Sequence, residues 1–418
     1  MSEQTPTHAA DSSRLWLVTA VILVILAVFV DGYILHLYAR TFSDFSQDYE
    51  AAVALRAGAS IYDPGFSKQN NHPPFVALFF VPLTFFSAPT AFVIWGILSG
   101  GLYLWILWQV ESTLGMVLPL HWRLLIIGLA LIWHPFISHL ALGQISIMVA
   151  ACIMGAWSLL RRQHEELAGL LLGLATAFKL YPAILALYLL LRGHHKALGG
   201  MLLTAVLFSL LPLFWVAPQD FLLYITDIVG ANASAYVGFP ANVSWASLID
   251  RLFAGGQWIE PLWAFPQIAH WLTLAFSLGF LAILAWQLRL FPRTLLGDAA
   301  AWSSVCVVML LLTPISWQHA FALLILPLGV LARAYQVNPA RWLRWFSLSV
   351  FVTFSLPDFS LGRLFMAWSA PGRMSWALGL VMSLPTFGLL GLWLLLSTLA
   401  RQEEPGPSPS LCREGGHL

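Results

Sequence analysis

Apolar runs of about 20 residues, each long enough to cross a bilayer as one helix, recur along the whole chain, and short segments rich in Lys and Arg separate them. A water-facing surface cannot be built from such a chain. Of its 418 residues 59% are hydrophobic and 9% charged, where a soluble domain carries about 25% charged. The fold class expected is therefore all-α: a polytopic membrane protein of about twelve transmembrane helices, with broken or re-entrant segments and polar outer loops. The 20 Trp and 28 Phe suit aromatic belts at the two interfaces. A net charge of +1 gives no electrostatic case for a nucleic-acid partner. Cys152, Cys306 and Cys412 have neither CxxC nor metal-ligand spacing, so no disulfide framework, zinc site or other metal site is indicated.

Residues 1–13 are polar and read as a disordered cytoplasmic N-terminus. Residues 14–400 form the membrane domain, and the Pro-, Glu-, Gly- and Ser-rich stretch 401–418 reads as a disordered cytoplasmic tail. The first apolar run, from about Trp16 to Tyr38, exceeds a signal-peptide core and lacks its cleavage pattern, so it is a retained span. The basic groups Arg161-Arg162, Arg192 with Lys196, Arg289 with Arg293, and Arg333 with Arg341 and Arg344 belong on the cytoplasmic side. Threading the spans through them puts 39–72 and 217–266 outside as the two extracytoplasmic loops. The run 167–191 lies between two cytoplasmic clusters and is broken at Lys179-Leu180-Tyr181-Pro182, so it reads as a bent hairpin with Lys179 near its outer apex. In 73–110 parity asks for one crossing where two apolar runs exist. The first, 73–88, is bounded and interrupted by prolines and reads as spanning, re-entrant or interfacial.

This threading gathers Asp44, Asp48, Gln144, Lys179, Asn242 and His319, far apart in sequence, at one face. A site assembled from several loops and helix ends would require that. Asp44 to Arg56 has helical potential, with Asp44 and Asp48 on one face at i, i+4 spacing. A carboxylate at the bilayer edge can act as general base on a hydroxyl; the plain alternative is a solvated acid at a helix N-terminus. Lys179, between apolar half-helices, needs a partner or a cavity at membrane depth and would suit a phosphate; the alternative is a snorkelling lysine. His319 could bind a phosphate oxygen or shuttle a proton, or be an interfacial histidine. Gln144 could cap a helix or hydrogen-bond a sugar.

The chain has no GxxxxGK[ST] loop, no Rossmann GxGxxG, no HExxH and no GxSxG. An enzyme of this form would take a lipid-linked activated substrate. Several segments together resemble glycosyltransferase family 87, the polyprenol-phosphate-mannose-dependent mannosyltransferases of the GT-C membrane superfamily. They are Asp44-Phe-Ser-Gln-Asp-Tyr-Glu-Ala-Ala with Gly58 and Tyr62-Asp-Pro64, His72-Pro-Pro74, Gly143-Gln-Ile-Ser146, Lys179-Leu-Tyr-Pro182, Ala241-Asn-Val-Ser244 and Thr313-Pro-Ile-Ser-Trp-Gln-His319. Their order holds from residue 44 to about 330. The chain departs from the pattern where His72 stands for an aromatic, Asp48 for a Tyr, and Ala320 for a second His after His319.

The resemblance implies a GT-C-like helical bundle and these roles. Asp44 is the catalytic base, with Asp48 its alternate. Lys179 and His319 bind the donor phosphate, and Gln144, Asn242 and Tyr181 bind substrate. The partners implied are a polyprenyl-phosphate sugar donor, a lipid or glycan acceptor and membrane lipids, in a bacterial inner membrane with the site on the extracytoplasmic side. No cofactor is expected, although a divalent cation bridging Asp48 and phosphate is compatible with the residues. The rival readings are a secondary transporter, which also uses broken helices and a buried charge, and a flippase of lipid-linked sugars.

Overall fold

The structure, a computed structural model, describes residues 6–41, 44–369 and 373–399. Helices account for nearly all of its regular structure, and the described residues hold one isolated bridge, pairing Ile259 with Met374. The first half comprises α1 (Pro6–Tyr38), α2 (Asp44–Arg56), α3 (Pro74–Phe80), α4 (Ala88–Thr113), α5 (Leu120–Leu131), α6 (His134–Leu142), α7 (Ser146–Arg161), α8 (Glu165–Phe178), α9 (Leu185–Arg192) and α10 (His195–Leu210). The second comprises α11 (Pro218–Leu223), α12 (Val229–Tyr236), α13 (Trp245–Phe253), α14 (Pro266–Leu290), α15 (Leu295–Leu312), α16 (Ile325–Val337), α17 (Arg341–Ser355), α18 (Asp358–Trp368), α19 (Trp376–Met382) and α20 (Leu384–Leu399). Residues 6–13, expected to be disordered, continue α1 upstream of its apolar run. Residues 1–5 and the tail 401–418 lie outside the described residues.

Among the described residues six helices are long and apolar enough to cross a bilayer, or nine if the bent pairs α5–α6, α17–α18 and α19–α20 each count as one span. The expected number of about twelve is above what helix length and apolar content supply. Pro74–Phe85, α7 and Tyr181–Arg192 are apolar but shorter. The run 73–88, left open on sequence, is a 7-residue α-helix continued by a 3-10 turn over Val81–Phe85. It is too short for a hydrocarbon core of about 30 Å.

Burial separates central from peripheral helices. In α15 83% of the apolar window is buried, against 11% in α1 and in α14. Leu15, Val18, Ile25 and Phe29 of α1 and Trp271, Leu278 and Trp286 of α14 are exposed, an arrangement that lipid tolerates and water does not. α8 and α10 approach closely because their contact is lined by small residues: a Cβ on Gly169 would lie 2.5 Å from the Ala197 carbonyl oxygen, and one on Gly173 would lie 2.7 Å from the Ala205 nitrogen.

The segment 165–192 is the expected hairpin. α8 ends at Phe178, Lys179 is extended (φ −149°, ψ 140°), and a 3-10 turn over Tyr181–Ile184 leads into α9. Pro182 in that turn cannot supply an amide to a continuing helix. The two feet of the hairpin are tied together at its base. His194 Nδ1 lies 3.0 Å from Glu165, Arg192 forms an ion pair with Asp298 at the start of α15, and Arg161 at the end of α7 reaches the same carboxylate at 3.6 Å. Lys179 therefore stands at the opposite end.

The segment 217–266, expected as a loop, is substantially helical. α11, a π-turn over Tyr224–Ile228 and α12 form one run, and α13 follows. These helices are short and mix polar with apolar residues, so they lack the long-run signal that marks the spans. α11 docks onto 57–72: Asp220 accepts from the Ser60 hydroxyl (2.8 Å) and the Ile61 amide (2.9 Å), and Tyr62 stacks on Tyr224.

Candidate active site

Asp44 is the first residue of α2, where the helix dipole favours a carboxylate. It forms an ion pair with Lys68 and accepts a 2.5 Å hydrogen bond from Gln144 Nε2, and Lys179 Nζ donates to Gln144 Oε1 at 3.5 Å. Four chain segments thus meet in the sequence Lys68, Asp44, Gln144, Lys179. Gln144 is held from behind. α6 ends at Gly143 in the left-handed region (φ 65°), the Gln144 amide donates to the His139 carbonyl, and Trp95 Nε1 donates to the carbonyls of Gly143 and Gln144. The glycine is also required by space, because a Cβ there would lie 2.6 Å from Phe45 Cβ.

One turn further on, Asp48 lies 2.6 Å from His72 Nδ1. A carboxylate is an acceptor, so Nδ1 carries the proton in this pair. His72 is itself fixed: its amide donates to Asn70 Oδ1 and its carbonyl accepts from the Tyr62 hydroxyl. Burial, ahead of the neighbouring Tyr224, Asp220 and Asp48, pushes the Tyr62 phenol upward, which keeps it a donor at neutral pH. The two acids of α2 therefore differ. The Asp44 side chain is 18% exposed and the Asp48 side chain 2%.

Across from the acids lie the basic groups. The carboxylates of Asp48 and Asp44 act on Lys179. His319, at the start of the 3-10 turn Gln318–Leu324 that precedes α16, is buried and feels the charges of Lys179, His139, His72 and Lys68. Its Nδ1 has no hydrogen-bond partner. The structure thus brings together Asp44, Asp48, Gln144, Lys179 and His319 and adds Lys68, His72 and His139. Sequence reasoning passed over Lys68 and His139 as site residues and met His72 only as a departure from the family pattern. The available signal for His139 was its position five residues before Gln144 on the same helix end.

Two expected substrate-binding residues face elsewhere. Asn242 is fully buried and its amide is consumed by the protein: Nδ2 donates to the carbonyls of Tyr236 and Pro314, and Oδ1 accepts from the amides of Ser244 and Ser316. It braces 236–244 against the strand of chain leading to His319. Arg251 supports the same brace, donating to the carbonyls of Phe239, Pro240 and Asn242 and to the Ser383 hydroxyl. The Tyr181 hydroxyl is buried without a partner and lies near Cys306 of α15, so the 3-10 turn carries it into the bundle. Among the described residues no group of three or more His, Cys, Asp or Glu is arranged to hold a metal ion.

The model of the family described as Glycosyltransferase family 87 matches residues 71–314. A polyprenol-phosphate-mannose-dependent alpha-(1-2)-phosphatidylinositol pentamannoside mannosyltransferase of Mycolicibacterium smegmatis is 29% identical over 370 residues, covering 83% of this chain and 83% of the relative. The protein of the same description from Mycobacterium tuberculosis is 29% identical over 350 residues, covering 80% and 75%. A polyprenol-phosphate-mannose-dependent alpha-(1-2)-phosphatidylinositol mannoside mannosyltransferase of Mycobacterium tuberculosis is 26% identical over 275 residues, covering 61% and 60%.

Proposed function

Because the chain belongs to glycosyltransferase family 87, we propose that it moves a mannosyl group from a polyprenyl-phosphate donor to a hydroxyl of a lipid-anchored glycan, with Asp44 as the base. The relatives' names support the donor, and they make a mannosylated phosphatidylinositol the acceptor class to try first. The observation that carries the reading is the continuous contact from Asp44 through Gln144 to Lys179, which sets an accessible carboxylate beside a cation at one end of the bundle.

The reaction is a single displacement. The acceptor oxygen attacks the anomeric carbon from the face opposite the phosphate, and its proton passes to Asp44 as the new C–O bond forms. The bond from the anomeric carbon to the phosphate oxygen breaks with its electron pair, and the polyprenyl monophosphate leaves without needing an acid. Lys179 and His319 stabilise the charge gathering on it. Such a displacement inverts the anomeric centre. An alpha linkage like that in the relatives' names then requires a beta-linked donor. Gln144 orients Asp44, while Asn242 acts on substrate only through the position of His319.

Asp48 is reserved for His72, and Asp44 is engaged by Lys68 and Gln144. The proposed steps use no metal, and transfer in the presence of a chelator tests that. The Arg161, Arg192 and Asp298 cluster at the other end supports a cytoplasmic base and an extracytoplasmic site, and the bacterial sources of the relatives support a bacterial plasma membrane.

The test is transfer by the purified protein in lipid nanodiscs. Radiolabelled polyprenyl-phosphate mannose or GDP-mannose is offered with a phosphatidylinositol-mannoside acceptor and, separately, a membrane-lipid extract. Label moving to an alpha-mannosidase-sensitive product from the lipid donor alone is expected. No product with any acceptor, together with movement of intact donor across a vesicle membrane, would replace the reading by a flippase.

A further inference from the structure

His139 is buried in the last turn of α6, and neither of its ring nitrogens has a hydrogen-bond partner. Buried polar groups are nearly always hydrogen-bonded, and one that is not asks for a reason. Its surroundings narrow that reason. The charge of Lys179 bears on His139. Asp44 and Asp48, the acids of the site, act on Lys179. His319 stands near both His139 and Lys179, again with Nδ1 unpartnered. Two buried imidazoles, each with an unpartnered ring nitrogen, therefore lie near the Lys179 ammonium, with donor capacity that no protein group takes up. The shortfall has the chemistry of an anion with several acceptor oxygens.

The backbone of His139 is independently fixed. Its carbonyl accepts from the amides of Gly143 and Gln144, so the helix end that presents Gln144 to Asp44 also presents the His139 ring. One rigid turn thus serves both halves of the site.

We propose that His139 is a donor-phosphate-binding residue. Its neutral imidazole donates one N–H to a phosphoryl oxygen of the polyprenyl phosphate, beside Lys179 and His319. The proposal rests on the transferase reading above. No proton leaves His139 in the reaction. It holds the phosphate in the Michaelis complex and in the product complex alike, so its loss raises KM for donor more than it lowers kcat.

The experiment measures binding of undecaprenyl monophosphate and of undecaprenol, which lacks the phosphate, to nanodisc-embedded wild type, His139→Phe and His139→Gln. Phe keeps the ring volume and removes the donor, and Gln restores an N–H. The expected result is a loss of about tenfold to a hundredfold in monophosphate affinity for His139→Phe, the range of one charge-assisted hydrogen bond. Undecaprenol affinity is unchanged, and His139→Gln recovers most of the loss. Monophosphate affinity within about twofold of wild type in His139→Phe overturns the proposal, as does an equal loss for both lipids, which marks a packing role. Should His139→Phe fail to fold, His139→Leu, which also lacks the donor, takes its place: a loss confined to the monophosphate supports the proposal, and an unchanged affinity or a loss shared with undecaprenol overturns it. If wild type transfers mannose while His139→Phe keeps its donor KM, this inference falls alone. If wild type neither transfers mannose nor binds the monophosphate, the transferase reading falls and takes the inference with it.

Discussion

The two ends of the 165–192 hairpin are made of similar residues and differ in what is left over. At the base, Arg192 pairs with Asp298 and donates to the carbonyls of Leu288, Phe291 and Pro292, Arg293 donates to the Arg192 carbonyl, and Glu165 pairs with His194. The Arg192 Nε has no partner, but each of these side chains is engaged. At the apex the acids are taken up by Lys68, Gln144 and His72, while both nitrogens of His139 and Nδ1 of His319 remain unmatched beside Lys179. At the base every side chain has at least one partner and the cluster acts as a brace. At the apex a whole imidazole, that of His139, has none, which is the arrangement a ligand can complete.

Breaking the base should therefore cost stability and spare the chemistry. Arg192→Met leaves Asp298 with only the 3.6 Å contact to Arg161 and strips three carbonyls of a donor, and the expected loss is about 3–5 kcal/mol. It would be read as a fall in melting temperature in detergent, with transfer per folded molecule near wild type. A catalytic defect at full stability would erase the contrast between the two ends. Lys179→Met at the apex should do the reverse, lowering kcat by about 10²–10³-fold with little change in melting temperature. Unchanged kcat would return Lys179 to the role of an interfacial lysine. Gly143→Ala sharpens the comparison because it acts on the apex through the backbone. A left-handed alanine costs about 1–3 kcal/mol, and its methyl presses on Phe45, the neighbour of Asp44. Transfer should fall further than the stability loss explains, and parallel losses would uncouple Gly143 from the site. The smallest effect expected is none: transfer persists in EDTA, since the acids of α2 are already paired with protein groups. Loss on chelation with recovery in Mg²⁺ would reassign Asp48.

Much of this was legible in the sequence, for identifiable reasons. The i, i+4 spacing of Asp44 and Asp48 foretold α2 and its shared face, because helical neighbours are a local property. The Lys-Leu-Tyr-Pro break between two basic groups foretold the hairpin. What the sequence hid was non-local. Lys68 pairs with Asp44 across 24 positions and the charge of Lys179 bears on His139 across 40, and no local pattern records either. Tyr181 is adjacent in sequence to the apex, yet the 3-10 turn sends its hydroxyl toward α15. Asn242 carries the polarity of a ligand group, but five backbone partners spend it. The 217–266 segment has the sequence of a loop because its helices of six to nine residues carry no bilayer-length apolar run.

The most direct test of the account compares Asp44→Ala with Asp48→Ala in transfer from radiolabelled polyprenyl-phosphate mannose, with melting temperature measured on the same preparations. The account predicts a loss of about 10²–10⁴-fold in Asp44→Ala at wild-type stability, and in Asp48→Ala a destabilised protein that keeps transfer per folded molecule. Transfer retained by Asp44→Ala and abolished in a fully folded Asp48→Ala would contradict it and move the base to the buried acid beside His72.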